Sequence, residues 1–394
     1  MIAIWFAGPG LLQCPSAVSR PQNSPASRLT SPHEERGGFV GDLACRPCHQ
    51  GKTGSYPATA HHRTSRLPDV SSIAGSFTKG KNVMTTLNPE LTFRMEARDG
   101  HFYQTAIRQK RGRISKRTEQ FDLIIGSATK GQTYLYWRQN ALFELPVSYW
   151  TELNRWVNSP GYVDGSADSD RPVPPRCVEC HATYFQPISS SPSENHYNKD
   201  NIVLGISCER CHGPGMEHVQ NHSAKSTNST GKKPMPPLRL SRDRQIDVCA
   251  QCHGGAGEPI APAFAFRPAE ALSEYVKLQE PNATDRLDVH GNQVTLLERS
   301  RCFQSSPEMT CSTCHDVHAP ERAAADYSTR CIECHRADQC GMVRKLGTQM
   351  ASNCIDCHMP VQPSNLLVLD ADDTRLKAKV RNHWIRVYRK TSHP

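Results

Sequence analysis

Seven copies of one five-residue pattern constrain this chain of 394 residues more than any other feature. In each copy two residues separate a pair of cysteines, and a histidine follows the second cysteine directly. Each copy is a site that we name by its first cysteine. The sites are Cys45–His49, Cys177–His181, Cys208–His212, Cys249–His253, Cys311–His315, Cys331–His335 and Cys354–His358. Only Cys14, Cys302 and Cys340 lie outside them.

This spacing is the signature of covalent haem c attachment. Two thiols three positions apart reach the two vinyl groups of one haem, and the next histidine then lies under the iron as its proximal ligand. Zinc is the main alternative for Cys-x-x-Cys. Zinc, however, would need the half-sites to be paired, and it would not require a histidine directly after each one. We therefore predict seven covalently bound haem c groups. The attaching residues are Cys45, Cys48, Cys177, Cys180, Cys208, Cys211, Cys249, Cys252, Cys311, Cys314, Cys331, Cys334, Cys354 and Cys357. The proximal iron ligands are His49, His181, His212, His253, His315, His335 and His358.

The composition agrees with a core made largely of haem. Hydrophobic residues make up 37% of the chain, the mean hydropathy is −0.59, and there are 29 prolines. A chain of this kind buries little side-chain core per residue. Seven apolar macrocycles would supply the missing core, so we expect the haem-free chain to be largely unfolded, as small metal domains are without their metal.

The net charge of +9 does not indicate a nucleic-acid partner. Two propionates on every haem offset the excess of Lys and Arg, whose natural partners are carboxylates. Basic runs such as residues 108–113 are therefore interpreted as solvated loops, and no nucleic-acid binding is expected.

The histidine at position 318 raises the question of the second axial ligand. His315 and His318 are three residues apart and point the same way on a helical turn. Because so short a link cannot pass round the haem attached to Cys311 and Cys314, His318 can only bind the iron of a different haem. Two haems must then lie close together. The other candidate distal ligands are His218, His383, His290 and one of the pair His61 and His62. We expect mainly bis-histidine haems of low potential.

The chain divides into four parts in this interpretation. Residues 1–38 are a leader or export segment with a flexible linker, and residues 39–69 are the first haem-binding segment. Residues 70–165 contain no haem site and predict a small β-rich insertion of three to six strands, because residues 91–107 alternate around an Asp-Gly turn. Residues 166–394 are a six-haem domain with one longer helix near 268–279. The predicted fold class is α+β, an irregular, mainly short-helical cytochrome core with the β-rich insertion.

The location follows from the chemistry of attachment. Bacteria attach haem to this pattern outside the cytoplasm, so we expect a periplasmic or cell-surface protein. The apolar run at residues 1–12 lacks the preceding positive charge of a signal peptide. No segment approaches the length of a membrane span; peripheral or lipid-anchored association remains compatible with the sequence. In an oxidising compartment Cys302 and Cys340 are candidates for a disulfide.

Several stretches together resemble the multihaem cytochromes of the cytochrome c-554 type. They are residues 39–49 followed by His61-His62, residues 205–218, Cys311–His318, and residues 354–360 with His383 downstream. The resemblance implies an exported electron-transfer protein with closely packed haem pairs. It also implies bis-histidine ligation with His62, His218, His318 and His383 as distal ligands. Redox proteins, such as other cytochromes or a quinol-linked complex, are the expected partners.

Two functions remain open from the sequence. The leading one is electron transfer along the seven haems. The alternative is an oxidoreductase that acts on a small nitrogen or sulfur species, such as nitrite or hydroxylamine, at a haem with an open axial position. Pentahaem nitrite reductases typically replace the motif histidine of the catalytic haem by lysine, and no such replacement occurs here. The sequence therefore favours an electron carrier over a catalyst.

Overall fold

The computed structural model describes residues 37–189, 191, 193–223, 239–255, 257–278, 287–371 and 374–388. Short helices and many strands alternate along these residues, which confirms the predicted α+β class. The predicted leader, residues 1–38, lies almost wholly outside the described residues.

A four-stranded antiparallel sheet occupies the first part of the predicted insertion. Its order is β2-β3-β4-β5, with β2 at Val83–Thr85, β3 at Leu91–Arg98, β4 at His101–Lys110 and β5 at Arg113–Gln120. Asp99 and Gly100 join β3 to β4 with φ values of 52° and 75°. Positive φ at both central positions matches the twist of a hairpin, and Asp-Gly accommodates it readily. The predicted hairpin is confirmed.

A seven-stranded sheet follows, and it packs against the first through a shared aromatic core. Phe93 of β3 and Tyr134 and Trp156 of the second sheet belong to one buried cluster. The strands are β1 (Ser65–Arg66), β6 (Leu123–Ile125), β7 (Gly131–Arg138), β8 (Ala141–Glu144), β9 (Val147–Trp150), β10 (Arg155–Asn158) and β11 (Arg171–Pro172). The main path is β1-β6-β7-β8-β11, while β9 pairs with β7 and β10 with β9.

Residues 70–165 thus contain nine strands, β2 to β10, rather than three to six. The extra strands are short, and β9 is buried at every residue. A strand buried on both faces shows no alternation of apolar and polar residues, so period two could not reveal it.

Three two-stranded sheets complete the β structure of the described residues. They pair β12 (Ala182–Pro187) with β13 (Tyr197–Leu204), β14 (Gly257–Pro259) with β15 (Val276–Leu278), and β16 (Val361–Ala371) with β17 (Thr374–Arg381). The helix predicted near 268–279 is wrong. A single 3₁₀ turn at Leu272–Glu274 leads into β15, because Val276–Leu278 finds a strand partner in Gly257–Pro259. Ala269 has a φ of 81°, which no α-helix allows.

The helices are short, and three of them, Cys208–His212, Arg242–His253 and Cys354–His358, contain a whole haem-attachment pattern. Among the described residues the longest is Arg242–His253, with 12 residues. The others are Asp42–Cys45, Gln50–Thr53, Pro175–Glu179, Cys208–His212, Met216–Ser223, Gln293–Glu298, Arg301–Ser305, Ala324–Ile332, Val343–Leu346 and Cys354–His358. None of the helices in the described part of the chain has the length and apolarity that crossing a membrane requires.

The seven-stranded sheet anchors the helical part of the molecule. Leu123 and Leu135 of this sheet pack with Val178 of helix Pro175–Glu179 and with Phe185 of β12. The hydroxyl groups of Thr64 and Ser65 both donate to the carbonyl of His181, at 2.7 and 2.8 Å. The β-rich part therefore fixes the position of the Cys177 site.

Candidate haem-binding site

Local structure places the cysteines and the histidine of each site on one side of a helical turn. In helix Cys208–His212 the hydroxyl of Ser207 accepts a hydrogen bond from the amide of Glu209, which starts the helix. Ser241 begins helix Arg242–His253 in the same way, through the amide of Arg244. Residues three and four positions apart lie on the same helix face. Both sulfur atoms and the imidazole of a site can therefore meet one flat ligand.

One large cavity runs between the helical segments. Its volume is about 2900 Å³, and residues of six of the seven sites line it, all but the Cys45 site. Small-molecule pockets reach only about 1000 Å³, so this space fits several large groups rather than one substrate. Most of the cavity wall is apolar, as a haem macrocycle requires.

Four motif histidines face a second histidine that is distant in the sequence. Imidazole nitrogens bind metal ions at about 2.0 Å, so two histidines on opposite sides of one ion have ring centres about 6 Å apart. The observed separations between ring centres match this spacing. They are 6.3 Å for His49 and His218, 6.1 Å for His253 and His61, 6.1 Å for His212 and His318, and 6.2 Å for His315 and His383.

His181 and His290 are the most buried histidines of the site, at only 5% and 9% exposed, and both line the cavity. Burial is the main cause that lowers the pKa of His181 to about 3, so His181 is neutral. The neutral form is the one that binds a metal ion.

Burial keeps further histidines of the site in the neutral form. It lowers the pKa of His253 to about 3 and that of His383 to about 4. The pKa values of His61, His315 and His318 are lowered by the same cause.

Hydrogen bonds at the Nδ1 atom orient the imidazoles of His253, His358 and His383. The Nδ1 atoms of His358 and His383 lie 3.0 and 3.1 Å from the carbonyl oxygens of Arg386 and Arg381. Nδ1 of His253 lies 3.4 Å from Oε1 of Gln293. Metal-binding histidines commonly donate one ring N–H to such an oxygen, which leaves Nε2 for the metal. The residues present thus fit haem iron.

The neighbours His61 and His62 have different surroundings. His61 faces His253, whereas Nε2 of His62 lies 3.0 Å from Oδ2 of Asp42. The other carboxylate oxygen of Asp42 accepts the backbone amide of Cys208 at 2.9 Å. Asp42 therefore connects the first haem segment to the Cys208 site, and Nε2 of His62 is engaged by the same carboxylate.

The remaining histidines of the described residues lie elsewhere. His101 is exposed at the start of β4, as expected for a hairpin end. His196 forms a β-bridge with Ala141, and His222 packs against His218. Among the described residues no second histidine ring faces His335 or His358. His33 and His393 lie outside the described residues.

A buried carboxylate joins the first and third sites. The side chain of Glu209 accepts the backbone amides of Val40, Gly41 and Gly215, at 2.9, 2.7 and 2.8 Å. No sequence pattern marks this role, because Glu209 is simply one of the two variable residues within the Cys208 site.

Two residues of the first haem segment hold the loop that carries His318. The hydroxyl of Ser55 donates to the carbonyl of His318 at 2.6 Å. The ring of Tyr56 lies 6.2 Å from the His318 ring, and the Tyr56 hydroxyl donates to the carbonyl of Ile206. These contacts bring His318 to the Cys208 site, which the sequence could not foresee.

Arginines on the cavity wall are suited to haem propionates. Arg176 and Arg210 both line the cavity, and both approach the carboxylate of Glu179, at 2.5 and 3.6 Å.

Cys302 and Cys340 line the cavity as well. Both are free thiols, so the candidate disulfide between them is absent.

Three comparisons with known proteins bear on this site. Residues 151–213 match the family described as cytochrome c554 and c-prime. The C-type polyheme cytochrome OmcC of Geobacter sulfurreducens is 24% identical over 166 residues. This match covers 37% of the chain but only 20% of OmcC. The chain thus spans about a fifth of the length of that relative.

The structure is similar to the crystal structure of the outer cell wall cytochrome OcwA. The TM-score is 0.51 at 15% sequence identity, and the likeness covers 89% of this chain and 80% of OcwA. At that identity the likeness establishes the fold alone. The family match, the polyhaem relative, the shared fold and the paired histidines together support a multihaem c-type cytochrome.

Proposed function

We propose that this chain is an exported multihaem c-type cytochrome that transfers electrons along seven covalently bound haems. One observation carries the proposal. Four motif histidines each face a second histidine across 6.1 to 6.3 Å, the spacing of two axial ligands on one iron.

The spacing of the rings supports four axial pairs, each of a motif histidine with one from a distant segment. They are His49 with His218, His212 with His318, His253 with His61, and His315 with His383. We propose His181 with His290 as a fifth pair because both are buried and line the same cavity. We propose His61 as the ligand at the Cys249 site, and a structural role for His62 beside Asp42.

When bound, haem iron with two histidine ligands supplies one-electron chemistry at low potential. The residues of this chain attach the haems, fix their spacing and exclude water from the inner ones. The apolar cavity wall and the fixed imidazoles limit how much the surroundings reorganise when the charge changes.

The comparisons support an exposed location and redox partners without fixing either. OcwA is named for the outer cell wall. We propose that this chain works in the periplasm or at the cell surface, with other cytochromes or a quinol-linked complex as partners. We also retain the division into residues 39–69, 70–165 and 166–394 as a proposal.

The test is to produce the holoprotein in a bacterium that attaches haem c, and to measure its intact mass and its EPR spectrum. We expect a mass increase of seven haems and low-spin bis-histidine signals from five irons. Fewer than seven haems, or mainly high-spin iron, would contradict the proposal.

The comparisons do not favour the alternative of a reductase for small nitrogen or sulfur species. Such a reaction would need an open axial position. In the described residues, His335 and His358 are the motif histidines that no second histidine ring faces. A change in the EPR spectrum on adding nitrite or hydroxylamine to the oxidised holoprotein would identify such a position.

A further inference from the structure

We infer that the seven sites form a group of four and a group of two, joined through the Cys311 site. Electrons that pass between the Cys45 site and the Cys331 and Cys354 sites then cross this one site. The inference rests on the proposed function and adds a route to it. Contacts between residues of different sites carry it.

The group of four contains the sites Cys45, Cys177, Cys208 and Cys249. Asp42, beside the Cys45 site, accepts the backbone amide of Cys208 at 2.9 Å. The thiol of Cys180 lies 3.9 Å from the carbonyl oxygen of Gln251, inside the Cys249 site. The guanidinium of Arg210, inside the Cys208 site, donates to the carbonyl of Glu179, inside the Cys177 site, at 3.1 Å. Each of these sites therefore adjoins another site of the group.

The Cys311 site touches this group at two points. Cys249 and Cys311 pack against the same buried cluster, which includes Ile246 and Leu272. His318, three residues after His315, faces His212 of the Cys208 site at 6.1 Å. The Cys311 site thus adjoins both the Cys208 and the Cys249 sites.

The same site adjoins the group of two on its other side. Tyr327, in the helix that leads into the Cys331 site, places its ring 5.2 Å from the ring of His315. In the same helix, the hydroxyl of Ser328 accepts the backbone amide of Cys354 at 3.0 Å. The Cys331 and Cys354 sites are therefore neighbours.

These contacts have a direct meaning for electron transfer. The cysteines and the histidine of a site would hold one haem at their segment, so two sites in contact bring two haems close together. Electron transfer slows steeply as the distance between haem edges grows. Each step moves one electron, which oxidises the donor site and reduces its neighbour.

The contacts define the two ends of the route. The Cys45 site, whose residues do not line the shared cavity, is one end, and the neighbouring Cys331 and Cys354 sites are the other. His181 is only 5% exposed, so the Cys177 site is an interior branch. Partners are expected to exchange electrons at the Cys45 end and at the Cys331 and Cys354 end.

The test measures current through single holoprotein molecules held between two gold electrodes. The exposed residues Lys52 and Lys345 become the attachment points through the substitutions K52C and K345C. Cys14, Cys302 and Cys340 are replaced by serine so that only these two thiols bind gold. His383→Met alters the Cys311 site, and methionine raises the potential of the haem it ligates.

We expect His383→Met to lower the current at least tenfold. His290→Met, which alters the interior Cys177 site, should lower it less than threefold. His101→Met changes an exposed histidine of the β-rich part and should leave the current unchanged. If His383→Met does not acquire its haems, His383→Ala, which leaves the Cys311 haem with one axial histidine, tests the same site.

A second readout does not depend on electron flow. In a redox titration followed by absorption and EPR, His383→Met should move one haem of seven to a higher potential and remove one bis-histidine signal. If the variant passes this check, a current loss no larger than that of His290→Met overturns the route. If the parent protein carries no current, the proposed function itself fails.

Discussion

The difference between His61 and His62 shows what decides a ligand at the scale of single residues. The two are adjacent, have the same chemistry and follow the first site at nearly the same distance. Sequence reasoning could only name the pair, and the family resemblance pointed to His62. Asp42, twenty residues away, hydrogen-bonds to His62 and leaves His61 to face His253. The attaching cysteines could be predicted from local spacing, whereas distal ligands depend on contacts between distant segments.

Substituting these two histidines separately tests the assignment. We expect His61→Ala in the holoprotein to convert one low-spin iron to high spin, because the Cys249 site loses its second axial ligand. His62→Ala is the matched control and should keep all low-spin signals. EPR of the two oxidised variants measures this, and the reverse outcome would assign the ligand to His62.

Glu209 is expected to stabilise the connection between the first and third sites. Glu209→Ala leaves three buried or partly buried amides without their acceptor, which should lower the free energy of unfolding by about 2–4 kcal/mol. Glu194→Ala is the control: it removes an exposed glutamate and should change the free energy of unfolding by less than about 0.5 kcal/mol. Urea unfolding followed by fluorescence or circular dichroism gives both values. Equal stabilities would show that water replaces the carboxylate.

At the scale of elements, prediction succeeded where the cause was local. The Asp99-Gly100 turn dictated the β3–β4 hairpin, because positive φ is inexpensive at these two residues. It failed at residues 268–279, where Val276–Leu278 pairs with a strand nearly twenty residues earlier in the chain. Strand β9 was not predicted for a related reason. It is buried on both faces by tertiary packing, so its sequence shows no alternation of apolar and polar residues.

Gly205 is an element-scale test of how the first haem segment packs on the segment before the Cys208 site. Its φ is 66°, and a Cβ atom would lie 2.2 Å from the carbonyl oxygen of His62. Gly205→Ala should cost about 3 kcal/mol or more, because backbone rather than a flexible side chain must move. Gly80→Ala shares the positive φ but has open space around it, so we expect a loss of only about 1 kcal/mol. Thermal unfolding of the two variant holoproteins gives both losses of stability. The Gly80→Ala loss measures the backbone strain alone, and the excess loss of Gly205→Ala measures the steric clash.

At the scale of the whole molecule, the two halves of the structure depend on haem to different degrees. The β-rich part has its own core, which includes Phe93, Tyr134 and Trp156. The helical sites instead surround the large cavity. A core that lacks its largest apolar component cannot offset the entropy of ordering the chain. The sequence suggested this dependence from composition alone, but it could not locate the part that needs haem least.

A haem-free chain provides the corresponding prediction. Produced without haem attachment, the protein should retain strand signals in circular dichroism and lose most helical signals. Limited proteolysis should leave fragments from residues 70–165 and degrade residues 287–388. A circular dichroism spectrum of the haem-free chain with the full helical signal of the holoprotein would contradict this prediction.

The axial pairs also have a consequence for how the protein is made. His218 faces His49, His61 faces His253, and His383 faces His315, so each iron would act as a crosslink that closes a long loop. If the chain is exported from its N-terminus onward, the first haem would wait for a ligand that is supplied much later. Its iron would have one empty coordination position until His218 arrives, and the iron of the fifth site would have one until His383 arrives. A chain cut short before His383 would then carry a reactive iron.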